Sequence, residues 1–228
     1  MIFNQFFDDV SCTYTYLLSS GKGREALIID PVLEKTNDYI SFLKKLDLKL
    51  VKVIDTHIHA DHVSGLKELK QQTDCAILMG EKSLSEVVTV RVKDNEKIKI
   101  ENTELISMYT PGHTDCSYSF LMKDRIFTGD TLLINGTGRT DFQNGNPIDQ
   151  YHSLFDRILT LPEETFVYPA HDYKGQKFST IGNEKKNNPR LKIKSAEQYA
   201  ELMNNLNLDN PKMMDIAIPA NIKGKTLD

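Results

Sequence analysis

The chain has 228 residues, of which 39% are hydrophobic and 26% are charged, and its net charge is −4. This composition is ordinary for a globular protein, and we expect a single domain over residues 1–228 with a helix in its C-terminal tail. The weak negative charge gives no basis for binding nucleic acid or an acidic membrane surface. No apolar run approaches the ~20 residues that cross a bilayer.

The cysteines and the N-terminus predict a cytoplasmic protein. Cys12, Cys75 and Cys116 are odd in number and include no Cys-x-x-Cys pair, which indicates reduced thiols rather than a disulfide framework. The first residues carry neither the basic region and cleavage site of a secretory signal nor an arginine-rich transit pattern.

The N-terminal part predicts a hairpin followed by a helix. Residues 12–18 alternate as in a strand, and 26–29 continue as a second strand after a turn. Apolar residues from Tyr39 to Leu46 recur at helical spacing, which predicts a helix with Thr36 or Asn37 as its N-cap.

The central part alternates strands with one helix. The apolar run 50–54 predicts a buried strand, a helix lies within 63–72, and 75–79 is a short strand. Turn residues then separate five more predicted strands, at 89–92, 97–100, 105–109, 117–121 and 125–127.

The C-terminal part begins with a loop at 136–147, because these residues show no periodicity. We predict a helix at 148–161, a strand at 166–168 and one further helix at 196–206 in a polar tail. Strands in blocks, broken by helices, favour sheets covered by helices.

A metal-binding pattern lies between a predicted strand and the helix that follows it. Residues 56–62 read Thr-His-Ile-His-Ala-Asp-His, so half of the six histidines fall within six residues. In extended chain His57 and His59 point the same way, and Asp61 and His62 can approach from beyond the bend. Imidazole and carboxylate donors suit zinc, iron or manganese. A polar loop without a ligand does not explain this clustering, so the stretch predicts a metal site.

Three further candidates, His113, Asp130 and His171, each follow an apolar strand and open a loop. A ligand in that place is held by a rigid sheet. Alone, His113 would be an ordinary histidine and Asp130 a turn former; beside the motif they are predicted ligands. His171 suits nearly as well the role of a residue that hydrogen-bonds to a metal ligand without binding the metal itself. His152 lies inside a predicted helix and is assigned to the surface or to helix packing.

These residues match, in order, the His-x-His-x-Asp-His motif and the later His, Asp and His of the metallo-β-lactamase superfamily, which the chain resembles. The resemblance implies an α+β fold, a four-layer αββα sandwich with the metal site at one edge of its two sheets. Further stretches are similar to the persulfide dioxygenase (sulfur dioxygenase) family, and they span most of the chain: 11–18, 29–34, 138–145, 168–173 and 188–191.

The family resemblance implies an enzyme that oxidises glutathione persulfide with O2 and water to sulfite and glutathione, with one non-haem Fe(II) per chain. By position it implies that His57, His113 and Asp130 hold the iron. The groups that would orient ligands and bound water are His59, Asp61, His62 and His171.

The resemblance also assigns the glutathione pocket, to Arg139, Tyr173 and Arg190. Guanidinium groups suit the two carboxylates of glutathione, because they bind carboxylates through two parallel hydrogen bonds. Members of the family are often dimeric, so a homodimer is compatible with the resemblance.

Two positions depart from the family pattern. Cys116 stands where many members have glycine, and we expect it to act as a small buried hydrophobic residue. Some members carry a cysteine shortly after the Pro-Ala-Asn of the tail, whereas residues 219–221 are followed here by Ile222-Lys223-Gly224. A role of that cysteine in persulfide binding does not apply to this chain.

Spacing alone does not choose between one metal ion and two. All residues of a two-metal hydrolase site are present, so the competing prediction is a dinuclear zinc hydrolase of glutathione thioesters, of the glyoxalase II type. Such enzymes are less similar in the loop 138–145 and usually have a longer helical C-terminal region. A non-catalytic binding module is disfavoured, because every motif position that the chemistry needs is filled.

Overall fold

Two six-stranded sheets form the centre of the computed structural model, which describes residues 1–209, 211 and 213–226. In the first sheet the spatial order of the strands follows the chain: β1 (Ile2–Asp8), β2 (Thr13–Ser19), β3 (Glu25–Ile29), β4 (Lys49–Ile54), β5 (Ala76–Gly80) and β6 (Val90–Val92). Strands β1 to β3 pair antiparallel, whereas β3 to β6 pair parallel.

The second sheet also follows the chain: β7 (Lys97–Ile100), β8 (Thr103–Tyr109), β9 (Tyr118–Leu121), β10 (Arg125–Gly129), β11 (Phe166–Pro169) and β12 (Ser179–Thr180). All neighbouring strands are antiparallel except β10 and β11, which are parallel. Because β8, β10 and β11 therefore run in the same direction, the loops that follow them open at the same edge of the sheet.

Helices cover the outer face of each sheet. They are α1 (Thr36–Lys45), α2 (Leu66–Thr73), α3 (Pro147–His152), α4 (Ile181–Asn187), α5 (Ala196–Asn204) and α6 (Met214–Lys223). Side chains of α1, α2 and α6 pack on the first sheet, and those of α4 and α5 pack on the second. A π-helical turn, Ser153–Arg157, and a 3-10 turn, Ile158–Thr160, extend α3 along the second sheet.

Side-chain alternation along the strands separates the layers. In β2, Tyr16 and Leu18 enter the core between the sheets, whereas Leu17 packs beneath the helices. The core between the sheets also takes Phe120 and Phe127 from the second sheet. The fold is the predicted α+β, four-layer αββα sandwich.

Most predicted elements are present, with shifts of a few residues at their ends, but the tail prediction is wrong. It contains α4, α5 and α6 rather than one helix, and β1 and β12 were not predicted. The N-cap prediction for α1 is also wrong. Thr36 is already helical, and its hydroxyl donates to the carbonyl of Leu33 at 2.8 Å, in the 3-10 turn that precedes the helix. None of the helices in the described part of the chain has the length and apolar character of a membrane span.

Candidate metal centre

Asp30 fixes the start of the loop that follows β4. This buried residue has a positive φ of 51°, and its carboxylate accepts hydrogen bonds from the backbone N–H of Thr56 at 2.7 Å and from its hydroxyl at 3.0 Å. Burial raises the pKa of Asp30 to about 6. The hydroxyl of Thr56 also lies 2.9 Å from Nδ1 of His57 and, since its proton goes to Asp30, accepts from that nitrogen. The loop therefore begins with the ring of His57 held at its Nδ1 side.

His57, His113 and Asp130 form the first cluster, in which one ligand atom from each lies within 4.8 Å of the others. Nδ1 of His113 donates to the carbonyl of Arg139 at 2.7 Å. With Nδ1 protonated in both rings, each Nε2 keeps a lone pair for a metal ion. Nε2 of His113 lies 3.6 Å from Oδ2 of Asp130. This donor set fits a single metal ion bound from one side.

Gly138 allows His113 and Asp130 to lie close together. A Cβ at this position would lie 2.8 Å from Nδ1 of His113 and 2.2 Å from the carbonyl oxygen of Asp130. Any side chain here would push apart two members of the first cluster, so the close approach requires glycine.

His59, Asp61, His62 and His171 form a second cluster, also with ligand atoms within 4.8 Å. His171 lies between two carboxylates, with Nδ1 2.6 Å from Oδ1 of Asp130 and Nε2 2.7 Å from Oδ2 of Asp61. Burial alone would lower the pKa of His171, but Asp130 and Asp61 raise it well above its ordinary value. Each ring nitrogen of His171 thus lies within hydrogen-bonding distance of one carboxylate oxygen.

Two other nitrogens of the second cluster are buried without a hydrogen-bond partner among the described residues, Nδ1 of His59 and Nε2 of His62. Burial, followed by the proximity of His62, lowers the pKa of His59 well below its ordinary value, which favours the neutral ring. Buried polar atoms without partners are rare in folded proteins. These two atoms are therefore places where a bound water or ion fits.

A cavity of about 330 Å³ opens beside both clusters. Its wall includes Asp61, His113, Asp130 and His171, together with the three residues predicted to bind glutathione, Arg139, Tyr173 and Arg190. The structure thus brings four of the predicted metal-site residues and all three predicted substrate residues to one pocket.

The three predicted substrate residues differ in how free they are. Arg139 is paired with Asp141, with Nε 2.6 Å from Oδ1. Arg190 donates to the carbonyl of Thr137 and makes no ion pair with any described acidic residue. Tyr173 is 71% exposed, and its ring lies nearly parallel to that of His171, at an angle of 5° and a centroid distance of 6.2 Å.

The expectations for Cys116 and His152 are confirmed. Cys116 is buried in the core between the first sheet and its helices. His152 is exposed and pairs with Asp156 at 2.7 Å, four residues along the helix. From the sequence, no role was predicted for Asp30, Thr56 or Asn221. Asp30 and Asn221 bond to the metal-binding loop, and Thr56 contacts His57 within it. The signal for Asp30 was its place at the end of a strand, which it shares with the other candidates.

The family model of the Metallo-beta-lactamase superfamily matches residues 9–97 and 81–171. The fold and the two clusters therefore define a member of the metallo-β-lactamase superfamily.

Individual similar proteins identify the family within this superfamily. It is 41% identical over 226 residues to the mitochondrial persulfide dioxygenase ETHE1 of Mus musculus, covering 98% of this chain and 88% of that protein. The crystal structure of ETHE1 from Myxococcus xanthus matches with a TM-score of 0.94 and 45% identity, covering 97% and 98% of the two chains. A hydroxyacylglutathione hydrolase of Dictyostelium discoideum is 34% identical over 170 residues, 70% of this chain and 62% of that protein. The chain belongs to the persulfide dioxygenase family.

Proposed function

We propose that the protein oxidises glutathione persulfide with O2 and water to sulfite and glutathione. One molecule each of persulfide, O2 and water gives glutathione, sulfite and two protons. The observation that carries this proposal is the 41% identity to a persulfide dioxygenase over 98% of the chain, which exceeds the likeness to the hydrolase in both identity and extent.

His57, His113 and Asp130 would hold one Fe(II) ion per chain. Two imidazoles and one carboxylate on one side of the ion leave the other positions free, which is the arrangement that non-haem Fe(II) oxygenases use. When bound, the iron supplies the redox chemistry with O2. The chain itself contributes the fixed orientation of the two imidazoles, through Thr56 and the carbonyl of Arg139.

A single ion is supported by the contacts of His171. Both nitrogens of this ring face carboxylates at 2.7 Å or less, so a second ion bound through His171 would have to replace one of these contacts. We propose that His59, Asp61, His62 and His171 orient the ligand Asp130 and bound water, and that none of them holds a second metal ion.

The cavity wall suits a tripeptide with two carboxylates. Arg190 and Lys174 both line it, and neither makes an ion pair with an acidic residue in the described ranges. We propose that Arg190 binds a carboxylate of glutathione and that the exposed ring of Tyr173 lies beside the substrate. Arg139, with its guanidinium 4.3 Å from the ring centroid of Phe142, would complete the wall. A cytoplasmic location and a homodimer stay predictions.

Metal analysis combined with two activity assays tests this proposal. We expect about one iron per chain and O2 uptake that depends on glutathione persulfide, with no hydrolysis of a glutathione thioester. Two zinc ions per chain with thioester hydrolysis and no O2 uptake would establish the competing function.

A further inference from the structure

Asn221 of α6 contacts the backbone of the metal-binding loop and is only 7% exposed. Its Nδ2 donates to the carbonyl oxygens of His59 at 2.9 Å and of His62 at 3.0 Å, and its Oδ1 accepts from the backbone N–H of Ser64 at 2.8 Å. Two carbonyls face the nitrogen and one N–H faces the oxygen, so the orientation of the amide is fixed by its partners. Aspartate has the same size but lacks both donors.

The helix that carries Asn221 is itself anchored. The hydroxyl of Ser85 donates to the carbonyl of Asn221 at 2.8 Å, and the N–H of Glu86 donates to the carbonyl of Ile222 at 2.7 Å. Ile218 and Ile222 pack against the core beneath the first sheet. The loop is therefore bonded to a helix that is held independently by the rest of the protein.

The two carbonyls bound by Asn221 belong to residues on either side of Asp61. Asp61 lies 2.7 Å from Nε2 of His171, and Nδ1 of His171 lies 2.6 Å from Asp130. We propose that Asn221 is a positioning residue for the metal centre: it fixes the peptide groups around Asp61 and so, through His171, the direction of Asp130. The inference rests on the proposed function only in that Asp130 is a metal ligand.

Asn221→Asp tests the inference, because it keeps the size of the side chain and places an oxygen against both carbonyls. Ser85→Ala is the matched control, since it weakens the attachment of the same helix and leaves the side chain of Asn221 intact. We expect metal-free Asn221→Asp to bind Co(II) about 10-fold more weakly than the wild type, with a changed ligand-field spectrum, and Ser85→Ala to retain both. In the iron-loaded enzyme, kcat should fall while KM stays within about twofold, because Asn221 does not line the cavity.

Unchanged Co(II) affinity and spectrum in Asn221→Asp would overturn the proposal. An equal loss in Ser85→Ala would also overturn it, by tracing the effect to the docking of the helix. If Asn221→Asp does not fold, Asn221→Ala removes the donors without adding a charge; retained Co(II) affinity in that variant, or unfolding of it as well, counts against a positioning role. A wild-type protein that binds Co(II) but shows no persulfide-dependent O2 uptake refutes the proposed function alone, since Co(II) binding needs no substrate.

Discussion

His171 and Asp130 are joined by a 2.6 Å contact between Nδ1 and Oδ1. The other oxygen of Asp130, Oδ2, faces Nε2 of His113 at 3.6 Å. Because His171 lies against one carboxylate oxygen, the other oxygen is the one directed toward His113. The contact therefore sets the direction of Asp130.

Replacing His171 should weaken metal binding without removing a ligand. Glutamine at this position cannot donate to Asp130 and Asp61 at once with the geometry of an imidazole. We expect His171→Gln to lower Fe(II) affinity by about 10- to 100-fold, measured by competition with a chelator. His152→Gln is the control, because His152 is an exposed histidine paired with Asp156 and lies outside both clusters. Equal Fe(II) affinity in His171→Gln and the wild type contradicts the orienting role.

Replacing a proposed ligand should have a larger effect. We expect His113→Ala and Asp130→Ala each to lose the iron and to reduce O2 uptake by more than about 100-fold, since the loss of a ligand exceeds the loss of a group behind it. Asp124→Ala is the control, because Asp124 stands just before β10, the strand that Asp130 follows, and lies on the surface beside Arg125. Turnover retained by either ligand variant would exclude that residue as an iron ligand.

The positions of the motif residues could be predicted from the sequence, but their hydrogen bonds could not. His113, Asp130 and His171 follow strands that run in the same direction, so their side chains meet at one edge of the sheet. In contrast, the acceptor for Nδ1 of His113 is the carbonyl of Arg139, which depends on the path of an irregular loop. Which ring nitrogens make hydrogen bonds, and which keep a lone pair for a metal ion, could therefore be seen only in the structure.

The missed elements have weak local signals. Strand β1 has apolar pairs, Ile2-Phe3 and Phe6-Phe7, instead of an alternating pattern. It is an edge strand whose two faces both carry packed side chains, because Phe3 contacts the core between the sheets and Ile2 and Phe6 contact the core beneath the helices. Helix α6 contains Pro219, which predicts a helix end, and it is stabilised by tertiary contacts of Ile218 and Asn221. Local propensity thus fails where distant parts of the chain supply the stabilisation.

Asp8, at the end of β1, should give the fold a dependence on acid. Its Oδ2 accepts hydrogen bonds from the backbone N–H of Ser11 at 2.8 Å and from its hydroxyl at 2.7 Å, and Lys35 lies 3.7 Å from Oδ1. Burial alone would raise the pKa of Asp8, but these contacts hold it below its ordinary value of 3.8. A carboxyl group with a lowered folded pKa stabilises the protein above pH 3.8 and loses that contribution as the pH falls further.

We therefore expect the metal-free wild type to exceed Asp8→Asn in free energy of unfolding by about 1 kcal/mol at pH 7. The difference should shrink from about pH 4 downward, as seen in urea unfolding at a series of pH values. Asp9→Asn is the control, because Asp9 is 83% exposed and its ion pair with Lys35 is long, at 4.0 Å. A difference that grows in acid has the wrong sign for a lowered pKa.

Arg190 and Lys174 should determine how tightly the substrate carboxylates are bound. Arg190 is partly buried beside the carbonyl of Thr137, so we expect Arg190→Gln to raise KM for glutathione persulfide by about 10-fold or more, with a smaller effect on kcat. Lys174 is exposed, and Lys174→Gln should raise KM by about threefold, since a solvated ammonium group contributes less. Lys177→Gln is the control, because Lys177 is exposed and does not line the cavity.

The persulfide of γ-glutamylcysteine separates the two residues, because it lacks the glycine carboxylate of glutathione. The residue that binds the glycine carboxylate makes no such contact with the shorter substrate. Its variant and the wild type should therefore show the same KM for that substrate. The other variant should keep its full effect, since the γ-glutamyl carboxylate is still present. Oxygen-electrode kinetics of both variants with both substrates gives the four comparisons. If both variants keep the same penalty with the shorter substrate, neither residue binds the glycine carboxylate, and the assignment of the two cations to the two carboxylates is wrong.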